Sequence, residues 1–573
     1  MSTHILKLSA TSCAGVVLLS LVSQNVRSQQ TNNPNSTVPP ANQRIVSTQN
    51  VVTITVDAQA ARRAINPLIY GVAHAGTEQL QLLNAPLNRS GGNNTSRYNW
   101  KLNADNRGGD WFFESIGDEK AEPGERADSF IARSKAAGAQ PMWTIPLLDW
   151  VAKIGPNRAK LASYSIAKYG AQQKTDQYMP DAGNGLQPDG SHIEGNDPAD
   201  ANTRNSPEFQ QEFVQHLVAK WGAAAKGGLR YYIMDNEPAI WHSTHRDVQP
   251  VGVTMQELVD KTVAYSNAVK AVDAGALVVG PEEWGWSGYF LSGYDSQEGP
   301  RLNWDRAAMT DRRKMGGMDA LPWYLQQLRS ASEISGKRVL DVFTVHIYPQ
   351  GGEFGDDVSR DMQLRRNRST RALWDPNYKD ETWINDTVQL IPRLKEWVAK
   401  HYYDDTPTGI TEYNWGAENH INGATTQADI YGIFGREGLD MGARWTTPAM
   451  DTPTFKAMQM YRNYDGKKNG FGETSVRATA PNADEVSAFA ATRKADGALT
   501  IVVVNKKLSE GDTTSTRIAL NVKNFKAKGA AQAWQLASEN QIKKLTDAKL
   551  QNGKLAATVP NGSVTMFVVA AAS

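Results

Sequence analysis

Apolar and polar positions follow two rhythms along this chain. Between residues 65 and 464, short β-branched or aromatic runs take turns with stretches whose apolar residues recur every three or four positions, the periods of strands and helices. Strand-like runs fall at 67–73, 87–91, 141–148, 229–235, 277–281, 341–348, 408–413 and 443–447. The helical stretches are punctuated. Ser206, Pro207 and Glu208 open one, with Phe209, Phe213, Leu217 and Trp221 along a single face. Thr254 and Glu257 have capping-box spacing ahead of a second, which runs to Val272 with Gly275 just beyond. A third covers 385–401, with Leu390, Leu394, Trp397 and Val398 on one stripe. Trp221 and Trp397, lying on such faces, are read as core. Eight strands alternating with helices predict a TIM-like (β/α)8 barrel. An open doubly wound sheet competes, but the glycine-rich phosphate turn that would favour it is missing.

The flanks differ. Residues 1–28 begin with a short basic-ended stretch and continue through a small or apolar run from Leu8 to Val22, which reads as a cleaved secretory signal peptide. A lipid anchor at Cys13 is the alternative, but Ala10 stands where a larger aliphatic would be expected. Residues 29–50 are rich in Gln, Asn, Pro, Ser and Thr and read as a flexible linker. Residues 51–64 hold one isolated strand, VVTITV, bounded by polar sequence. After the barrel region, 65–465, the pattern turns all-β over 466–573. Runs at 486–494 and 498–506 join through Ala495-Asp496-Gly497, a hairpin signal, and further strands follow at 517–522, 530–536 and 563–569. Fifteen of the sixteen Trp precede residue 465, so an aromatic-lined site belongs to the barrel. The tail is read as a β-sandwich that the strand at Val51 joins. The long polar segment 171–205 is placed as an elaborated loop after the third barrel strand.

Composition chiefly removes alternatives. With 61 Lys and Arg against 60 Asp and Glu, the chain has no basic footprint for nucleic acid. Its single cysteine, Cys13, leaves with the signal peptide, so no disulfide framework is expected. No later segment has the apolar length of a membrane span. A secreted, extracellular or periplasmic protein acting as a monomer, without a membrane partner after cleavage, is the expectation.

Two strand ends carry the chemistry. Asp235-Asn236-Glu237-Pro238 follows YYIM, and Glu412 follows GIT, so each acid should emerge at the C-terminal end of its strand, where barrel active sites are built. A carboxylate pair converging there is what glycosidic bond hydrolysis requires. A lone strand-end acid is more often a cap or an ion-pair partner; two at matching ends favour catalysis. Asn236 is a candidate donor to a sugar hydroxyl.

Four stretches resemble glycoside hydrolase family 44, the endoglucanases and xyloglucanases. They are Arg89-Ser90-Gly91-Gly92-Asn93 with Ser96 to Trp100; Asn236-Glu237-Pro238 with Trp241 and Thr244 to Val248; His346-Ile347-Tyr348-Pro349-Gln350; and Glu412-Tyr413-Asn414-Trp415-Gly416. The resemblance runs from about residue 65 to the C-terminus. It implies a retaining endo-β-1,4-glucanase with a TIM-like barrel and a β-sandwich built from both chain ends, acting on soluble cellulose-type glucans or xyloglucan. By motif position Glu237 is then the acid/base and Glu412 the nucleophile; Tyr348, at the end of the sixth strand, is placed to hydrogen-bond the nucleophile, the alternative being a Tyr that closes the core layer. Ser90 departs from the family pattern, where an aromatic is expected, and Gln249 stands where His is more usual. Both bear on subsite preference.

Sugar platforms are sought among Trp241, Trp284, Trp286, Trp415 and Trp445, near strand ends; Arg89, Asn93, Asn236, His346 and Tyr348 complete the expected substrate contacts. Xylan or mannan as the polymer, and a non-catalytic carbohydrate-binding protein, are the alternatives. No cofactor is required for this chemistry. His242, His245 and Asp247 lack zinc-enzyme spacing, and the acidic loops 117–128 and 181–200 leave room for a structural Ca²⁺ without matching an EF-hand.

Overall fold

The computed structural model describes residues 51–511 and 514–572; the signal peptide and linker expected over 1–50 lie outside them. Strand β1 (Val52–Asp57) precedes eight parallel strands that close into a barrel. These are β2 (Gly71–Ala73), β3 (Leu87–Ser90), β4 (Gln140–Ile145), β5 (Tyr231–Met234), β6 (Leu277–Glu283), β7 (Val342–Ile347), β8 (Thr408–Tyr413) and β9 (Met441–Arg444). They are the eight regions that the hydrophobic pattern marks. Closure is set by Ala443 opposite Gly71. One boundary differs: 67–70 is a 3₁₀ turn, because Asn66 accepts the Leu68 amide and Pro67 starts the turn, so the first barrel strand begins at Gly71.

Helices cover the barrel. Helix α1 (Thr77–Leu83) and α2 (Glu125–Ala136) follow β2 and β3. In α3 (Pro207–Trp221) the Ser206 hydroxyl accepts the Phe209 amide, and in α4 (Met255–Val272) the Thr254 hydroxyl accepts that of Glu257. Helix α5 (Ala320–Ser335) comes next, and α6 (Leu390–His401) starts at Leu390 rather than 385. Trp397 is buried in the core as expected, while Trp221 is half-buried and donates its indole N–H to Asp128. The segment 171–205 contains short pairings: Thr175–Asp176 with Met179–Gly183, and Asn202–Arg204 with Trp150–Ala152.

The remaining β-structure is one ten-stranded, mostly antiparallel sheet that curls into two layers. Its main strands are β10 (Thr474–Thr479), β11 (Val486–Thr492), β12 (Leu499–Asn505), β13 (Ser515–Lys523), β14 (Gln532–Leu536), β15 (Lys554–Pro560) and β16 (Ser563–Val569). Strands β10 and β15 had no clear sequence signal. Strand β1 inserts between β13, parallel, and β10, antiparallel, and buries Ile54 and Val56 with Ile501, Val503 and Phe567. Helix α7 (Ile421–Glu437) joins the two regions. Its residues 422–435 are all buried, Phe489 packs over Gly432, and Asp429 pairs with Lys506 at 2.8 Å.

Candidate active site

The lower barrel interior is apolar: Leu87, Met142, Tyr231, Ile233, Val279, Val342 and Met441 form one buried cluster. Towards the C-terminal strand ends the interior becomes ionic. Arg89, two residues past Leu87 and so on the same face of β3, is fully buried. Its Nη1 donates to Glu412 Oε2 at 2.8 Å and its Nη2 to Glu282 Oε2 at 2.7 Å and Asn236 Oδ1 at 3.3 Å. Gly91 and Gly92 make this arrangement possible. A Cβ on Gly91 would fall 2.3 Å from the Arg89 guanidinium, and one on Gly92, whose φ is +91°, would fall 2.6 Å from the Trp445 ring.

Two β-bulges aim the acids. Between β6 and β7 the register passes from Pro281–Thr344 to Glu283–Val345, leaving Glu282 as the extra residue, at φ +61°. Between β7 and β8 it passes from Val345–Ile410 to His346–Glu412, leaving Thr411 extra. Thr411 and Glu412 therefore both reach the interior, one bonding Glu282 at 2.8 Å and the other Arg89. Beyond β5, Asp235 fixes the turn by accepting the amides of Leu147, Leu148 and Asn236, and the Glu237 amide donates to the Glu282 carbonyl at 3.0 Å.

The carboxylates of Glu237 and Glu412 and the ring of His346 converge, with ligand atoms all within 4.8 Å of one another. Glu412 Oε1 accepts the Tyr348 hydroxyl at 2.7 Å. His346 lies between two acids, Nδ1 2.9 Å from Glu237 Oε1 and Nε2 2.9 Å from Glu282 Oε2. Burial pushes the imidazole pKa down, but the charge of Glu412 and the bonds to Glu237 and Glu282 outweigh it and lift it to about 9. Glu282 moves the other way. Burial opposes its charge, yet Arg89, His346 and Thr344 hold it at about 2. Glu237 is raised, chiefly by burial and further by the charge of Glu412, against the pull of His346. Burial and the adjacent Glu412 push the Tyr348 hydroxyl far up, so it stays a donor.

Of the residues singled out from sequence, Arg89, Asn93, Asn236, Glu237, His346, Tyr348, Glu412 and Trp445 meet here. The Asn236 side-chain oxygen Oδ1 accepts from Arg89 and the Gly92 amide, and its Nδ2 donates to Asn93 at 3.3 Å. Trp445 is half-buried, 5.8 Å from the Arg89 guanidinium carbon. Two expected platforms are corrected. Trp241 is fully buried, its indole N–H on the Asn236 backbone carbonyl, and Trp415 is 3% exposed, its N–H on the Ser369 hydroxyl. Both brace the strand-end loops and offer no ring face to a sugar. Trp286 is also engaged by the core, edge-on to Phe290.

Sequence reasoning missed Glu282 and two exposed rings. The same strand-end rule that found Glu237 and Glu412 applies to Glu282, which directly follows the strand expected over 277–281; only its inward facing, set by the bulge, lies beyond that rule. Trp383, 57% exposed, donates to Gln350, which bonds the Tyr348 carbonyl. Trp111, 40% exposed, follows Asp110, which accepts from Asn93 at 3.2 Å. Neither ring lies near the end of a barrel strand in sequence, so no local signal marked them.

A metal role gains little from the donor set. His346 offers N–H groups to two carboxylates, and Asp247 is held by both Arg97 Nη atoms at 3.0 Å. In the acidic loops, Asp118 is taken by Arg126 and Asp200 by Lys168 and Tyr169. Among the described residues, no helix is long and apolar enough to cross a membrane.

Comparison with known proteins agrees with this geometry. The sequence model of glycoside hydrolase family 44 matches residues 104–351. Endoglucanase A of Paenibacillus lautus is 32% identical over 80% of this chain, and Beta-mannanase/endoglucanase A of Caldicellulosiruptor saccharolyticus is 30% identical over 83%. The chain spans 64% and 36% of those relatives' lengths. Among solved structures, CelM2, a bifunctional glucanase-xylanase protein from a metagenome library, is 62% identical with a TM-score of 0.89, covering 91% of this chain and all of that one. A Paenibacillus polymyxa xyloglucanase from the same family, solved with xyloglucan, is 29% identical with a TM-score of 0.73, covering 91% of this chain and 100% of that one. The chain belongs to glycoside hydrolase family 44.

Proposed function

We propose that this chain is a secreted, retaining endo-β-1,4-glucanase acting on soluble cellulose-type glucans and xyloglucan, with Glu237 as acid/base and Glu412 as nucleophile. The observation that carries the reading is the approach of a carboxylate oxygen of each residue to within 4.8 Å of the other's, which suits the ~5 Å separation of retaining enzymes better than the ~6.5–9.5 Å of inverting ones.

Charge balance supports the roles. With Glu237 protonated, Arg89 and protonated His346 offset Glu282 and Glu412. The protonated carboxyl accepts the His346 N–H on Oε1 and so presents its own proton from Oε2 to the glycosidic oxygen. In the first step Glu412 attacks the anomeric carbon, the C–O bond to the leaving sugar breaks, and the Glu237 proton goes to that oxygen. Glu412 becomes a neutral ester as Glu237 becomes an anion, so the site's net charge stays constant. Water then attacks the same carbon, giving its proton to Glu237 and releasing Glu412. Trp445, Trp383 and Trp111 offer ring faces to hold glucosyl units, in place of Trp241 and Trp415, as does the half-buried Trp284 beyond Glu283.

Reducing-end release from hydroxyethyl cellulose, xyloglucan and xylan, with the anomer of the first product followed by NMR, tests the reading. Initial formation of the α-anomer would overturn retention, and no release from any glucan would overturn the activity. Glu237→Ala should slow natural substrates far more than activated aryl glycosides and be partly rescued by azide. Xylan as a second substrate is favoured by one observation, the 62% identity to a bifunctional glucanase-xylanase.

A further inference from the structure

Between the barrel wall and helix α2 lies a cavity of about 230 Å³ that the mechanism does not use. It adjoins the cleft. His74 lines it, and the same ring meets Trp445 edge-on at 5.3 Å and Phe130 at 6.5 Å. The cavity depends on position 90. Arg89 points into the barrel, so its neighbour Ser90 points outward under α2, and its short side chain lines the cavity beside Trp143 and Phe130, which pack edge-on at 5.7 Å.

The lining is charged and unevenly paired, three arginines facing two aspartates. Arg126 is bound to Asp118 through Nε at 2.6 Å and Nη2 at 2.7 Å, and to Asp105; Arg107 pairs with Asp105 at 2.8 Å. Arg133 has no such partner. It is half-buried, its guanidinium lies 4.9 Å over the Phe130 ring, and the one carboxylate whose charge reaches it, Glu125, accepts from Lys120 and Ser129 instead. A guanidinium held in place by a ring, with its planar fork unspent beside a cavity, matches a carboxylate in shape and charge. The cavity is smaller than the 300 Å³ or more of drug-sized sites, so it suits one substituent rather than a run of backbone sugars.

We propose that this cavity is a side pocket for a carboxylate-bearing substituent on the glycan, a uronosyl or carboxymethyl group on a sugar bound beside Trp445, with Arg133 as its ion-pair partner. This rests on the glucanase reading and extends it to acidic, decorated polymers. A free small anion shares the chemistry and is separated from a glycan substituent by the test.

The experiment measures kcat and KM on carboxymethyl cellulose and on uncharged hydroxyethyl cellulose for the wild type, Arg133→Met and Ser90→Phe. Arg133→Met should raise KM on carboxymethyl cellulose about 5-fold, the scale of one lost charge-assisted pair at a partly open site, and leave hydroxyethyl cellulose unchanged. Ser90→Phe, which removes volume and not charge, should do the same. Added glucuronate should compete with carboxymethyl cellulose only. An equal KM change on both polymers, or none on the charged one with Arg133→Met, overturns the pocket. So does phosphate or glucuronate binding that Arg133→Met abolishes while carboxymethyl cellulose kinetics stay unchanged, since the site then takes a free anion. Should Ser90→Phe fail to fold, the Arg133→Met comparison decides alone. Wild-type turnover of hydroxyethyl cellulose tests the glucanase reading separately: its absence removes that reading, whereas turnover without charge discrimination removes only the pocket.

Discussion

The two ends of the barrel interior are built from the same strands and obey opposite rules. At the lower end Leu87, Met142, Ile233, Val279 and Val342 fill the space with apolar side chains that tolerate no gap. A few residues further along, Arg89, Glu282, His346 and Glu412 place four ionisable groups out of water. Stability at the first end comes from removing apolar area; at the second, each group is tolerable only because another balances it. The site's chemistry is a by-product of that mutual dependence, since the partners that make a buried acid affordable also set its proton affinity.

Substitutions at the two ends should separate these rules, the largest effect coming from Glu412→Gln. It keeps the shape and removes the proposed nucleophile, so kcat should fall by at least ~10³-fold with glucan binding little changed, while stability falls because Arg89 and His346 lose a buried counter-charge. Wild-type turnover would remove Glu412 from its role.

Glu282→Gln should cost less turnover, roughly 10–100-fold, and more stability, about 3–5 kcal/mol, because Arg89 and His346 lose a buried counter-charge. Its signature is in the pH dependence. His346, held at about 9 against 6.5 for a free imidazole, contributes stability that is fully present below pH 6.5 and is lost as pH rises through 9. Glu282, at about 2 against 4.5, contributes above pH 4.5 and fades as pH falls through 2. Denaturant unfolding from pH 6 to 9.5 should show the alkaline decline in the wild type and a flatter one in Glu282→Gln. An unchanged slope would mean that Glu282 does not set the His346 proton.

At the lower end, Ile233→Ala should destabilise by about 2–4 kcal/mol through the cavity it leaves, with kcat of the folded fraction unchanged; a large kcat loss would show the two ends to be coupled. The smallest effect is expected outside the barrel, where Trp383→Ala should raise KM for long glucans about 3–10-fold, the worth of one aromatic stacking contact, and spare short aryl glycosides.

Legibility in the sequence divided along the same line. All eight barrel strands were readable from apolar runs, and Glu237 and Glu412 from their places at strand ends. Glu282 stands at a strand end too, but its inward facing was not readable, because it is the extra residue of a bulge, and a bulge breaks the alternation by which facing is read. The ring platforms failed in the opposite direction. Trp241 and Trp415 sit beside the strand-end acids and are buried braces, while Trp383 sits in an unmarked loop and is exposed.

The local order of the polymer was thus enough to determine which segments are strands, where helices start, and which acids stand at strand ends, since those depend on side-chain period and capping within a few residues. Only the folded barrel decided that Thr411 and Glu412 both face inward, that Glu282 lies beneath Arg89, and that His346 carries a proton between two carboxylates. Those outcomes depend on register between strands far apart in the chain, and on charges that meet only after closure.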